Sequence, residues 1–249
     1  MSISIKTIAS KEEENKRNAF LQLYSQNPIP ANEALANINL FCKRQELTKI
    51  LFFDRIYQKI LNVHGVIMEF GVRWGQNLAT LTNLRGIYEP YNYSRKIVGF
   101  DTFSGFTQIQ DKDGQHPIAK EGAFSVTKNY EEYLDAVLKY HESESPLSHV
   151  KKNFLVKGDA SVTLENYLQE HPETIIAFAY FDFDIYEPTY KCLQLIKDRI
   201  TKGTIIGFDE LNDPHFPGET VALQEAWGTS NISLKRYNFC GIQSYFKVG

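Results

Sequence analysis

Four carboxylate side chains stand in two pairs directly after apolar runs of the sequence, and their chemistry points to cation binding. Asp182 and Asp184 follow one run, and Asp209 and Glu210 follow the next. If the two runs are neighbouring strands of one sheet, Asp182, Asp209 and Glu210 converge on one point. Massed carboxylates repel one another unless a positive group lies between them. With no His or Cys alongside, the expected group is Mg²⁺, although the acids could also be solvated caps of the following helices.

A glycine-rich turn lies earlier in the chain, where Glu69 precedes Gly71 and Gly75 in an E-x-G-x-x-x-G pattern. Gly71 allows a tight turn with close approach of the backbone to a ligand, and Gly75 opens the following helix. The free backbone N–H groups at that helix start suit an anionic group such as a carboxylate. The pattern also fits a plain strand-to-helix turn, but the glutamate ahead of it favours ligand binding.

Two further acids stand at the ends of the second and third apolar runs. In nucleotide-binding folds with a parallel sheet, an acid at the end of the second strand accepts hydrogen bonds from ribose hydroxyls, and Asp101 has this position. Asp159 could accept a hydrogen bond from an adenine amine. Either residue could instead cap a turn or a helix. The recurrence of acids at successive strand ends favours a ligand site over isolated caps.

Short apolar runs that alternate with amphipathic helical stretches must position these residues. The runs are Val66–Phe70, Lys96–Phe100, Asn153–Val156, Ile175–Phe183 and Thr204–Phe208. Strands that are continuously apolar, each followed by a helix, indicate a parallel sheet covered on both faces. The last two runs, Ile232–Tyr237 and Ile242–Val248, lie too close together for a helical crossover and predict an antiparallel hairpin. The predicted fold class is α/β, a doubly wound, mostly parallel seven-stranded sheet that ends in this hairpin.

The region before the first strand has a different pattern. Apolar residues recur there at three- and four-residue steps, and Pro28 and Pro30 break the pattern once. We therefore expect two or three helices over residues 12–62. The chain is predicted to divide into an N-terminal helical cap at 1–62 and an α/β domain at 63–249.

Composition excludes several classes of protein. The 249 residues include 27 Lys and Arg against 30 Asp and Glu, a net charge of −3, which provides no basic surface for nucleic acid. The longest apolar run, Ile175–Phe181, is far shorter than the ~20 residues of a membrane helix. Met1–Arg17 shows no export signal. The cysteines, Cys42, Cys192 and Cys240, are odd in number and widely spaced, so we expect a reducing, cytoplasmic location.

Four segments of the sequence resemble one family, the macrocin-type sugar O-methyltransferases. They are Glu69–Gly75, Phe100–Gly105, the D-x-D-x-Y-E-x-T stretch Asp182–Thr189, and Ile206–Glu210. These enzymes depend on S-adenosylmethionine and have the class I methyltransferase fold. The resemblance covers roughly residues 64–230, and the D-x-D-x-Y-E-x-T stretch is its most specific part. It departs from the family at Asp209 and Glu210, where the family usually has two aspartates.

The resemblance implies roles for individual residues, which are expectations at this point. Glu69, Gly71 and Gly75 would surround the methionine end of the cofactor, Asp101 and Ser104 would lie at the ribose, and Asp159 and Ala160 at the adenine. Asp182, Asp209 and Glu210 would ligate Mg²⁺, and Asp184 would be the general base.

The chemistry expected from the residues agrees with this assignment. A sugar hydroxyl is a poor nucleophile until it begins to lose its proton, and a divalent ion lowers its pKa. Asp184 can then take the proton, since side chains two apart on a strand share a face and Asp182 and Asp184 could both reach the cleft. His215 and Asp213 are the other candidate bases. The long segment Phe103–Phe124 and the loop Pro214–Gly218 are expected to flank the cleft.

Rival functions use the same acids. A D-x-D after an apolar strand also suits a metal-dependent nucleotide-sugar transferase or a phosphatase, but neither explains the E-x-G-x-x-x-G turn. A non-catalytic nucleotide-binding module would leave Asp184 without a role. The expected partner is therefore a small-molecule or glycan hydroxyl acceptor, with no nucleic acid, no membrane span and self-association into a homo-oligomer.

Overall fold

The structure of the chain is a computed structural model that describes residues 9–249, and what the sequence predicts for residues 1–8 lies outside this range. Two compact units divide between Thr48 and Lys49. The division falls inside a helix, so residues 49–62 of the predicted cap belong to the larger unit.

Helices and strands alternate over most of the described chain. Eight α-helices lie within residues 9–249: α1 Lys11–Ser25, α2 Ala31–Ala36, α3 Arg44–Ile60, α4 Gln76–Tyr88, α5 Tyr130–Ser143, α6 Ala160–Glu170, α7 Tyr186–Leu195 and α8 Gly218–Trp227. Six β-strands lie in the same range: β1 Val66–Phe70, β2 Ile97–Asp101, β3 Asn153–Lys157, β4 Ile176–Phe181, β5 Ile200–Phe208 and β6 Ser244–Lys247. The first five strands fall where the apolar runs predict them.

The strands form one sheet in the order β3-β2-β1-β4-β5-β6. All neighbouring strands are parallel except β5 and β6, which are antiparallel. The chain runs outward from β1 through β2 to β3, then returns to β4 on the other side of β1. In sheets of this kind the carboxyl ends of the two strands at such a reversal open a crevice where ligands bind. The predicted doubly wound α/β fold is confirmed.

Helices cover both faces of the sheet, as the uninterrupted apolar strands require. One face packs against the C-terminal half of α3 and against α4 and α5, around buried side chains such as Phe53, Leu81 and Tyr180. The other face packs against α6, α7 and α8, around residues such as Leu164, Leu193 and Leu223.

A row of phenylalanine side chains crosses the sheet at the carboxyl ends of four parallel strands. Phe70 is paired in register with Phe100 on one side and Phe181 on the other, and Phe181 is paired with Phe208. The rings stack on their neighbours, with centroid distances of 5.2 Å, 4.7 Å and 5.4 Å along the row. All four are fully buried. The row fixes the height at which each strand gives way to its loop.

The backbone ladder continues for one residue beyond this row. The Asp182 N–H donates to the Phe70 carbonyl at 2.8 Å, and the Asp209 N–H donates to the Phe181 carbonyl at 2.9 Å. Gly71 occupies the same level after β1, with φ of 95°. Asp182 and Asp209 therefore enter the crevice side by side, with Gly71 next to Asp182.

The sheet has six strands within residues 9–249 rather than the predicted seven. The second half of the predicted hairpin forms β6, but the first half, Ile232–Tyr237, contributes only a single antiparallel bridge between Lys235 and Tyr245. Leu234 is exposed, so this stretch has no continuous buried face to hold a strand in register.

The N-terminal unit is helical, as predicted. Helix α1 begins with a capping box, in which Ser10 and Glu13 satisfy each other's backbone N–H groups. None of its side chains is buried in the described chain. Tyr24 packs edge-on against Phe41 with a ring-centroid distance of 5.0 Å.

The predictions about membrane helices and cysteines concern two further features of the described residues. Between residues 9 and 249, no helix combines the length and the apolar character that crossing a bilayer would need. Cys42, Cys192 and Cys240 are free thiols.

Gly71→Ala should destabilise the protein severely, because a Cβ at this position would overlap the backbone carbonyl of Asp182. Gly122 is a matched control, since its φ of 76° is also left-handed but a Cβ there meets no atom within 4 Å. We expect Gly122→Ala to cost about 1 kcal/mol of unfolding free energy through backbone strain. Gly71→Ala should cost about 3 kcal/mol or more, since overpacking adds to the strain.

Denaturant unfolding of the two variants measures this difference. Equal losses of stability would show that the turn after β1 has room to move away from Asp182.

Candidate active site

Two acids and one lysine meet at the crevice between β1, β4 and β5. The Lys49 Nζ lies 3.2 Å from Asp182 Oδ2 and 3.0 Å from Asp209 Oδ1. The side chains are 22%, 23% and 14% exposed respectively, so the charges are partly withdrawn from water. The sequence predicts that Asp182, Asp209 and Glu210 converge around Mg²⁺, and in this structure the ammonium of Lys49, from α3, lies between Asp182 and Asp209.

Asp209 is the more strongly held of the two acids. Its Oδ1 also accepts hydrogen bonds from the Tyr180 hydroxyl at 2.6 Å and from the Gln243 amide at 3.1 Å. Burial disfavours its charge, but Lys49, Tyr180 and Gln243 outweigh that effect and lower the Asp209 pKa.

Asp182 is less well compensated than its neighbour. Burial, together with repulsion from Asp209, raises the Asp182 pKa to about 6 despite the contact with Lys49. Burial opposes the Lys49 charge as well, but Asp182 and Asp209 more than offset it and raise the lysine pKa. The three groups thus carry an excess of negative charge when both acids are ionised.

Asp184 and Glu210 form a second carboxyl pair beside the first. Each of these two carboxyl groups affects the pKa of the other. Burial and the neighbouring acids raise the Asp184 pKa well above its usual value, and burial followed by repulsion from nearby acids raises that of Glu210 to about 8. Neighbouring carboxyl groups disfavour each other's ionisation, so the pair favours the protonated form of at least one member.

The sequence argument that placed Asp182 and Asp184 on one strand face is wrong. Strand β4 ends at Phe181, and Asp184 has a left-handed φ of 64°. Alternation along an extended strand therefore does not apply to Asp184. The turn of the backbone, rather than strand geometry, brings its carboxyl group to Glu210.

Glu69 lies fully buried at the end of β1 and is only half satisfied. Its Oε1 accepts a hydrogen bond from the Asn77 amide at 2.7 Å, while its Oε2 is buried with no partner. Burial raises the Glu69 pKa well above its usual value. A ligand ammonium group would satisfy the unpaired oxygen, so this residue fits the amino end of S-adenosylmethionine. The same Asn77 amide lies 3.4 Å from Asp182 Oδ2, which links Glu69 to the acid cluster.

The two glycines of the turn stand where neighbouring groups leave no space for a side chain. Gly75 is the N-cap of α4 with φ of 77°, and a Cβ there would collide with the Leu134 side chain. Gly71 is excluded from carrying a side chain by the Asp182 carbonyl. Among the described residues, no side chain caps the start of α4, and uncapped N–H groups at a helix start suit a carboxylate.

The other predicted cofactor residues make local contacts in this structure. Asp101 accepts from the Arg73 N–H at 2.7 Å and the Phe103 N–H at 2.5 Å, which ties the loops after β1 and β2 together. Asp159 caps α6 by accepting from the Ser161 N–H at 2.9 Å. Ala160 is the buried first residue of α6. These contacts are the cap and turn roles that the sequence leaves open for the two acids.

Two other predicted residues lie in loops with polar neighbours. The Ser104 N–H donates to the Thr102 hydroxyl at 3.1 Å. His215 places its Nδ1 3.1 Å from Asp213 Oδ1, and its ring centroid lies 5.6 Å from that of His116. His215 thus joins the loop Pro214–Gly218 to the long segment Phe103–Phe124.

Sequence reasoning missed several members of the site. Lys49 lies in α3, where the apolar pattern of the helix does not distinguish it from other lysines. Tyr180 and Gln243 contribute by donating hydrogen bonds to Asp209. Asn77 stands within the glycine motif, but nothing in its type marks it as a bridge. Only the folded arrangement identifies these side chains.

Three carboxyl side chains at the crevice are the candidate ligands for a metal ion. Asp182, Asp209 and Glu210 offer hard carboxylate oxygens, and the acids outnumber the single lysine, so a divalent cation fits the chemistry. Across residues 9–249, however, no three His, Cys, Asp or Glu side chains are gathered in a metal-holding arrangement. Lys49 holds two of the donors, and Glu210 is engaged by Asp184.

Comparison with known proteins supports the family resemblance. No protein-family model and no curated protein matches the chain. Among solved structures, that of CalS11, a calicheamicin methyltransferase, is 41% identical with a TM-score of 0.93, and the match covers 100% of this chain and 99% of that chain. An apo structure of CalS11, described as a TDP-rhamnose 3'-O-methyltransferase, is 39% identical with a TM-score of 0.85, covering 98% and 97%.

A third solved structure, the O-methyltransferase NovP, shares the fold at 16% identity and a TM-score of 0.60, with 80% of this chain and 79% of that chain covered. Similarity to CalS11 over nearly the full length of both chains goes well beyond a shared fold. The strand-end acids, the glycine turn after β1 and this similarity lead to one conclusion. The chain belongs to the macrocin-type family of S-adenosylmethionine-dependent sugar O-methyltransferases, enzymes of the class I methyltransferase fold.

Proposed function

We propose that this enzyme methylates a hydroxyl of a nucleotide-linked 6-deoxyhexose. The observation that carries the proposal is the carboxyl cluster of Asp182, Asp184, Asp209 and Glu210 at the crevice, adjoining the half-satisfied Glu69. The choice of acceptor rests on CalS11, a TDP-rhamnose 3'-O-methyltransferase that is 39% identical over 98% of this chain. Polysaccharide precursors and glycosylated natural products are the other acceptors compatible with the family.

S-adenosylmethionine supplies the methyl group from a sulfonium whose leaving group is a neutral thioether, so the enzyme needs no general acid. In this proposal Glu69 binds the ammonium of the methionine end, and the backbone at Gly71 and Gly75 takes its carboxylate. Asp101 and Ser104 bind the ribose, and Asp159 and Ala160 bind the adenine. To bind the ligand, Asp101 and Asp159 would replace some of the hydrogen bonds that they accept from backbone N–H groups with hydrogen bonds from the ligand.

Asp184 is the proposed general base. Its raised pKa, caused by burial and the surrounding acids, makes its carboxylate a stronger proton acceptor than an exposed aspartate. The negative charge of Glu210 favours the protonated form of Asp184. His215 is the second candidate and lies in the loop with Asp213, where contact with the sugar suits it better.

Mg²⁺ is the proposed cation, held by Asp182, Asp209 and Glu210. Bound there, it would lower the pKa of the acceptor hydroxyl. Because Lys49 is paired with Asp182 and Asp209 in this structure, the lysine and the ion compete for the same two carboxylates. The glutamate at position 210 replaces the aspartate usual in the family and has the longer stem.

The proposal includes four features of the wider protein. The chain acts in the cytoplasm, as a homo-oligomer and without nucleic acid or a membrane partner. We also propose that the chain divides functionally into a helical cap at 1–62 and a methyltransferase domain at 63–249.

Turnover with a panel of acceptors tests the function. The purified enzyme is incubated with methyl-labelled S-adenosylmethionine and TDP-rhamnose, other nucleotide sugars, or free sugars, and the products are analysed by mass spectrometry and NMR. We expect one methyl group on a hydroxyl of the nucleotide-linked deoxyhexose. S-adenosylhomocysteine should raise the melting temperature, whereas phosphate analogues should not. Stabilisation by phosphate analogues with no methylated product would favour a phosphatase.

Asp184→Asn is the matched variant for the same assay. It keeps the shape of the side chain but removes the proton acceptor, so kcat should fall by about 10²- to 10⁴-fold. Binding of S-adenosylhomocysteine should stay unchanged. Turnover close to that of the wild type would point instead to His215 or to substrate-assisted deprotonation, and loss of activity in His215→Asn would then select His215.

Removal of divalent metal tests the cation. EDTA should abolish turnover, and added Mg²⁺ should restore it. Full activity in EDTA would remove Asp182, Asp209 and Glu210 from a metal-binding role.

Lys49→Met tests the competition between lysine and ion. In metal-free buffer this variant leaves two carboxylates unpaired and should lose about 2 kcal/mol or more of unfolding free energy. Isothermal titration should show tighter Mg²⁺ binding than in the wild type. Lys139→Met is the control, since Lys139 forms a largely exposed pair with Asp135 and its loss should cost about 0.5 kcal/mol or less. Unchanged Mg²⁺ affinity in Lys49→Met would contradict the competition.

A further inference from the structure

Two buried acids from distant parts of the chain hold the backbone around Asp184. Glu219 Oε1 accepts hydrogen bonds from the Phe183 N–H at 2.9 Å and from the Asp184 N–H at 3.3 Å. Asp113 Oδ1 accepts one from the Tyr186 N–H at 2.5 Å. Both acids have no exposed surface. Two N–H groups of the turn after β4 and the first N–H group of α7 are therefore bound by carboxylates.

The two acids belong to different elements, and both reach the backbone between Phe183 and Tyr186. Glu219 lies in the first turn of α8. Asp113 lies in a short 3₁₀ turn within the long segment Phe103–Phe124, where its second oxygen accepts from the Gln110 N–H at 2.7 Å. A Cβ at Gly218 would lie 2.6 Å from both Asp113 Oδ1 and the Tyr186 nitrogen. The three segments are thus in direct contact, with no room for a side chain between them.

This arrangement is costly by itself. Asp184 has a left-handed φ of 64°, a conformation that costs a non-glycine residue of order 1–3 kcal/mol. Glu219 is fully buried, and its Oε2 has no hydrogen-bond partner. Unpaired buried polar groups and strained backbone persist where surrounding structure over-determines them, and they cluster at functional sites.

We propose that Glu219 and Asp113 are positioning residues that aim the Asp184 carboxyl group at the acceptor hydroxyl. Neither side chain is placed to exchange a proton with the acceptor in this proposal; both act through the backbone of the turn. The proposal rests on the proposed role of Asp184 as general base. It also gives the long segment Phe103–Phe124 a part in catalysis, because Asp113 fastens that segment to the turn.

Glu219 substitutions separate positioning from general stability. Glu219→Gln keeps an oxygen that accepts from both N–H groups, so kcat should stay near that of the wild type. Glu219→Leu removes the acceptor, and kcat should fall by about 10²-fold, the size of effect that a misplaced catalytic group produces. The affinity for S-adenosylhomocysteine should not change in either variant. Gln224→Leu, at an exposed site on the same helix, is the control and should leave kcat unchanged.

Combination with Asp184→Asn tests whether Glu219 acts through the base. In that background Glu219→Leu should cause no further loss of kcat, because residues that act as one unit are not additive. A multiplicative loss in the double variant, or equal losses in Glu219→Gln and Glu219→Leu, would overturn the positioning role. An Asp184→Asn variant with normal turnover would instead overturn the proposed role of Asp184 as general base, whereas absence of any methylated product with the wild type would overturn the proposed function, so the failures are distinguishable.

Asp113 provides an independent variant if Glu219→Leu does not fold. Asp113→Asn can accept from the Tyr186 N–H or the Gln110 N–H but not from both, so kcat should fall while cofactor affinity is kept. Asp111→Asn is the matched control, because Asp111 lies exposed in the same turn and should have no effect. Wild-type kcat in a folded Asp113→Asn enzyme would remove Asp113 from the proposal.

Discussion

The stacked row of Phe100, Phe70, Phe181 and Phe208 is the constraint on which the rest of the structure depends. Aromatic rings in register across parallel strands resist slippage, because a shift of one residue would turn every buried ring to the other face. The row therefore fixes the level at which four strands end. Gly71, Asp182 and Asp209 each follow directly after a phenylalanine of the row. The row therefore determines which residues line the crevice.

Charge is the second constraint, and it limits how the crevice can be built. Asp182 and Asp209 could not both be ionised at this distance without a nearby cation, and Lys49 supplies one within 3.2 Å of each. Within the described chain, Asp184 and Glu210 have no such cation in contact, and burial with the neighbouring acids raises the pKa of both. The cluster thus contains one pair that is compensated by the Lys49 charge and one pair whose pKa values are raised.

The sequence could predict those parts of the structure that depend on local pattern. Continuous apolar runs identified β1 to β5, and their order along the chain, with helices between them, indicated a parallel sheet whose strand ends bring Asp182 and Asp209 together. The pattern could not show that Ile232–Tyr237 fails to form a strand, because that depends on burial in the folded state. It also could not find Lys49 or Glu219, since their roles arise from contacts between elements far apart in the chain.

The turn at Asp184 has a consequence for how the enzyme folds and fails. Its backbone is held by Asp113 and Glu219, which lie about seventy and thirty-five positions away along the chain, so it forms only after long loops have closed. Local opening of either partner segment would release the turn while the central sheet stays intact. Mild heat or denaturant should therefore abolish enzymatic activity before the protein unfolds globally. Activity should return on cooling, because the central sheet remains folded.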